Sequence, residues 1–92
     1  MIPKKLKIQG HTFNVKLSSG DAVADRDCGW SRPFNNLISI NSDFPVSQQE
    51  STLLHEIIEI INSSFELKLK HNQIMTLEGS LYQVLKENKL LK

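Results

Sequence analysis

Within the run STLLHEIIE, Ser51 to Glu59, a histidine and two glutamates stand at spacings that could do hydrolytic chemistry. On a helix, residues four apart lie about 40° apart around the axis. His55 and Glu59 would then project from one face and could hold one metal ion between them. Glu56 is turned about 100° from His55, so it would stand beside such an ion and not on it. That is where a general base must be to take a proton from a metal-bound water. A catalytic zinc needs about three protein ligands and one open position. The third should come from the next helix, because a short connection returns it antiparallel. His71 opens that helix and is the first candidate. Glu78 and Tyr82 follow at spacings that return to the face of His71 within about 20°. His55, Glu59 and His71 would form a His₂Glu set, a composition known for catalytic zinc, with Glu78 as the alternative third ligand. One negative ligand charge would leave the bound water acidic enough to ionise near neutral pH. Tyr82 is the candidate to hold an oxyanion.

Each of these residues also has a plainer reading. His55 can be a hydrogen-bonded histidine at a helix surface, and Glu59 and Glu78 solvated helix charges. His71 can bond backbone groups at a helix start, and Tyr82 can be core. Spacing alone leaves both readings open. Cys28 is the only cysteine, which excludes an intrachain disulfide and fits a reducing compartment. It reads as a small buried hydrophobe with no activating partner. His11, at a turn, reads as exposed.

The elements that must position these residues are few. Ninety-two residues with 39% hydrophobic content suit a single small domain, 1–92, with a modest core. Residues 1–45 carry the strand patterns and 46–92 the helical ones. Pro3 to Gln9 and Thr12 to Leu17 alternate apolar and polar residues, with Gly10-His11 as a tight turn between them, and read as a hairpin. Ser18 to Asp27 is polar and reads as a loop. Cys28 to Arg32 reads as a short strand. Pro33 and Asn35-Asn36 mark a turn, and LISIN, Leu37 to Asn41, is a compact strand. Ser47 and Glu50 fit a capping box that opens a helix running to about Ser64. That helix is apolar on nearly two faces and should be the most buried element. Ser63 to Lys70 is the connection. The second helix runs from His71 to about Lys89, with Ile74, Leu77, Leu81, Val84, Leu85 and Leu90 or Leu91 as its inner stripe. The expected fold is α+β, a small antiparallel sheet of hairpin plus edge strand packed on two helices.

Net charge is +1 with mixed signs, and only Lys4, Lys5 and Lys7 form a basic cluster. A solvated strand edge explains them better than a nucleic-acid patch. No apolar run has the length of a membrane span or the form of a signal peptide, so a cytoplasmic location without membrane partners is expected.

HEIIE resembles the HExxH signature of zinc peptidases, with Glu59 in place of the second histidine. IPKKLKIQGHTFNVKL, NLISIN followed by QQESTLLHEIIEII, and HNQIMTLEGSLYQVLKEN together resemble small phage- and prophage-encoded zinc metallopeptidases of minimal gluzincin-like type. Many members carry HExxH and a Glu near the start of the closing helix. Here Glu59 and His71 look like an exchange of those two positions that keeps two histidines and one carboxylate. The resemblance implies a zincin-like fold, Zn²⁺, His55, Glu59 and His71 as ligands, and Glu56 as base. It implies a phage protein working in the bacterial host cytoplasm on a protein or peptide substrate. It also implies that the LISIN strand borders the cleft as an edge that pairs with extended substrate. The alternative is a non-catalytic binding or inhibitor protein on the same scaffold, directed at a host protein.

Overall fold

The computed structural model describes residues 2–19, 29–32 and 35–90. The Cys28 reading, the Pro33 turn and most of the polar loop lie outside the described residues. Strand β1 (Lys5–Ile8) and strand β2 (His11–Ser18) form the antiparallel hairpin. Its turn is Gln9-Gly10, one residue earlier than the spacing suggests, with φ of 55° and 83°. Two successive positive φ values give the twist that a two-residue hairpin needs, and glycine meets that demand most easily.

Strand β3 (Gly29–Arg32) and strand β4 (Leu37–Asn41) complete a four-stranded sheet of order β1-β2-β4-β3. β4 runs parallel to β2, with Val15 opposite Ile38, and antiparallel to β3, with Ser31 opposite Ile38. The α+β class stands, strands first and helices after, and the sheet is mixed. LISIN is therefore an interior strand and not an edge. Its sequence carries the reason: Ile38 and Ile40 are fully buried, and Ser39 and Asn41 are 1% exposed on the opposite face. A strand covered on both faces belongs inside a sheet. Its small polar residues are satisfied locally, Ser39 Oγ by Ser18 Oγ and Asn41 Oδ1 by the Asp43 N–H at 2.9 Å.

Helix α1 (Val46–Phe65) lies across this sheet. Leu53 and Ile60 join Ile8, Phe13, Val15, Ile38 and Ile40 in the core. The expected capping box does not form. The helix starts before Ser47, on Pro45, whose φ of −55° is set by its ring. Gln49 ties down the first turn instead, its Nε2 donating to the carbonyls of Phe44 at 2.7 Å and Ser42 at 3.3 Å. Glu66 closes the helix in the left-handed region, and Asn62 Oδ1 accepts the Leu69 N–H at 2.9 Å, which fixes the connection.

Helix α2 (His71–Glu87) returns antiparallel against α1. Its expected inner stripe is only partly inner. Ile74 is 2% exposed, while Leu77, Leu81 and Val84 are 40% exposed or more. The cause is layering: α1 covers the sheet, so α2 has one helix to pack on and no sheet beneath it. No helix among the described residues is long and apolar enough to cross a membrane.

Gly29 sets how closely β3 approaches its neighbours. A Cβ there would stand 2.5 Å from the Ser39 carbonyl oxygen and 3.0 Å from Thr52 Cγ2. The first contact is backbone and cannot rotate away. Gly29→Ala should therefore cost about 1–3 kcal/mol, read as a lowered urea midpoint at unchanged slope.

Candidate functional site

Ser51, His55 and Glu59 follow one another at helical i, i+4 spacing on α1, so they form one strip. Thr52 and Glu56 form the neighbouring strip, and Thr52 lies against Gly29 of β3. That contact carries Glu56 onto β3 as well, where Ser31 hydrogen-bonds its carboxylate. From the other side, α2 brings His71, Glu78 and Tyr82 towards α1, as their common face requires.

Glu78 is the centre of the arrangement. Its Oε1 stands 2.7 Å from His55 Nδ1, and its Oε2 accepts the Ser51 hydroxyl. The His55 and Glu78 side chains are each 16% exposed, so the pair is half-sheltered from water. A carboxylate can only accept from imidazole, so the proton sits on Nδ1. In the neutral ring, Nε2 then keeps its lone pair. The His71 ring stands edge-on to that of His55, with centroids 5.8 Å apart and planes at 64°.

Glu56 is 7% exposed. Burial raises its pKa above the ordinary carboxylate value, and the nearby Glu59 and Glu78 charges add to that. The Ser31 hydrogen bond and His55 oppose it. Glu59 is half-buried and lies within electrostatic range of Glu56. Tyr82 donates its hydroxyl to Glu50 Oε1 at 2.8 Å, and the Lys86 ammonium reaches the same oxygen at 3.0 Å. Burial, then the bond to Glu50, raises the Tyr82 pKa.

The structure thus brings together His55, His71 and Glu78, sets Glu56 beside them, and pairs Tyr82 with Glu50. Among the described residues, no three His, Cys, Asp or Glu side chains are grouped so that they could hold a metal ion. Three participants go unnoticed in the sequence. Ser51 has a signal, its position one turn before His55. Glu50 reads as a cap residue because its real partners lie on another helix. Ser31 gives no signal, because only strand pairing brings it to Glu56.

No protein-family model, no curated protein and no solved structure matches this chain.

Removing Glu78 leaves Ser51 and His55 half-buried without their acceptor. Glu78→Ala should lower stability by about 1–3 kcal/mol in chemical denaturation. It should also release the His55 tautomer, seen as a shift of its ring ¹⁵N resonances. The raised pKa of Glu56 means that the fold favours its protonated form. That contribution is complete below the ordinary value of about 4.5 and is lost as pH rises through the folded-state value. Glu56→Gln, which mimics the protonated acid, should match the parent near pH 4 and be the more stable protein at pH 7 to 8. Equal stabilities at both pH values would remove the case for a destabilising buried charge.

Proposed function

We propose that this chain is a zinc-dependent metallopeptidase, phage-encoded and acting in the bacterial host cytoplasm. The observation that carries the reading is the His55–His71 pair. Two imidazoles on one tetrahedral zinc have ring centroids roughly 5–6 Å apart, from the usual zinc–nitrogen distance and angle. The observed 5.8 Å fits that spacing. Glu78 holds Nδ1 of His55, as the outer carboxylate does in a carboxylate–histidine–zinc arrangement, and leaves Nε2 for the ion. His55 and His71 would be ligands and Glu78 the orienting group; Glu59, one turn beyond His55, is not grouped with them among the described residues and would have to turn in to be the third. Bound zinc would supply Lewis-acid polarisation of the scissile carbonyl and an acidified water.

The protein's own groups then have defined tasks. Glu56 takes and returns the proton, and burial tunes it towards neutral pH, as a general base requires. Ser31 holds the Glu56 carboxylate in place. β3 is the edge strand beside that base, so extended substrate would pair with β3 by main-chain hydrogen bonds, and not with LISIN. Tyr82 as an oxyanion donor would first have to leave Glu50.

A second reading, a non-catalytic protein that binds a host protein, draws support from the burial of Glu56 and from the apolar residues that α2 leaves exposed.

Metal analysis of untagged protein should give close to one zinc per chain, and His55→Ala should lose it. Glu56→Gln should keep zinc and fold but stop peptide cleavage. Protein that stays zinc-free with zinc supplied, and folds equally well without it, would sink the peptidase reading and leave the binding protein.

A further inference from the structure

The outer face of α2 is not composed as a face for water. Ile74, Leu77, Leu81 and Val84 recur at spacings of three, four and three, the period of a seam between two packed helices. Ile74 is buried, but Leu77, Leu81 and Val84 are 40%, 41% and 45% exposed. A solvated helix face normally carries charge. The charged residues of α2 are Glu78, Lys86 and Glu87, and none stands on this stripe. Glu78 and Lys86 turn to Ser51, His55 and Glu50 on α1, and Glu87 accepts from Gln83 one turn earlier. The residues that flank the stripe, Gln73, Ser80 and Asn88, are exposed and uncharged. An apolar centre depleted of charge is the composition of an interface core.

The stripe also has a symmetry that selects its occupant. Leu77 lies one turn before Leu81 and Val84 one turn after it, with Gln73 and Asn88 two turns out. A second α2 laid antiparallel across a two-fold axis at Leu81 sets Leu77 on the partner's Val84 and Gln73 on the partner's Asn88. Leu81 then meets its own copy. Apolar meets apolar and polar meets polar, which is the self-complementarity of an isologous contact. A foreign partner requires no such symmetry. The chain's net charge of +1 sets little repulsion between copies. One helix face is smaller than the roughly 800 Å² per partner of a standard interface, so the contact is weak and concentration-dependent.

We propose that the outer face of α2 docks a second copy of this chain, as an antiparallel helix pair centred on Leu81. The pairing does not depend on how the histidine cluster is read. It assigns the exposed apolar residues of α2 to a second copy in place of a host protein.

The test is sedimentation equilibrium of the full chain. Between about 10 μM and about 1 mM the average mass should rise from 10.5 kDa toward twice that value. Leu81→Glu and Leu81→Lys, at an exposed position, should each stay at monomer mass with unchanged circular dichroism, because each sets like charges across the axis. An equal mixture of the two should associate about tenfold or more tightly than either alone. Met75→Glu, about 160° round the helix from Leu77, should associate as the parent does. Monomer mass throughout the range would overturn the proposal and leave the face to a different protein. Growth beyond a dimer, loss of association in Met75→Glu, or a mixture no tighter than its components would each overturn it as well.

Discussion

One carboxylate, that of Glu78, holds the second helix in register with the first. α2 buries a single residue fully, Ile74, so apolar packing alone leaves its rotation about its own axis weakly determined. The bonds from Ser51 and His55 to Glu78 remove that freedom, and hydrogen bonds to a charged group are worth about 1.5–3 kcal/mol each. A second polar contact, Glu50 with Tyr82 and Lys86, does the same further along the helix. The meeting of His71 with His55 follows from this seam. Turned by a fraction of a residue, α2 would send His71 to one side, and no paired imidazoles would remain.

Glu56 shows the opposite balance. Burial works against its charge, and the Ser31 hydrogen bond and His55 offset only part of that. The surrounding fold absorbs the cost through β4 and the face of α1 that covers it, where the isoleucines are almost completely buried.

Much of this architecture is legible in local sequence. Alternation marks the hairpin, the Ile-rich run marks α1 as the buried helix, and helical spacing puts His71, Glu78 and Tyr82 on one face. What is not legible is whatever depends on a distant partner. The Ser47–Glu50 box has the right letters, but Pro45 starts the helix earlier and Glu50 is taken by Tyr82. The apolar positions of α2 imply a full inner stripe, yet only contact with a sheet would bury all of them. LISIN looks the same whether it lies at an edge or inside; its neighbours are chosen by parallel pairing with β2, some twenty residues upstream. Ser31 reaches Glu56 only because β3 pairs antiparallel with β4.

The strand order has a kinetic consequence. β1 and β2 can zip together through their own turn, and so can β3 and β4, because each pair is local. Joining the two ribbons needs β4 to come alongside β2 in parallel, across the whole intervening segment. Such non-local closure loses chain entropy before any contact rewards it. The strand order thus makes the parallel closure of β4 on β2, at the junction of Val15 with Ile38, the pairing that is costliest in chain entropy.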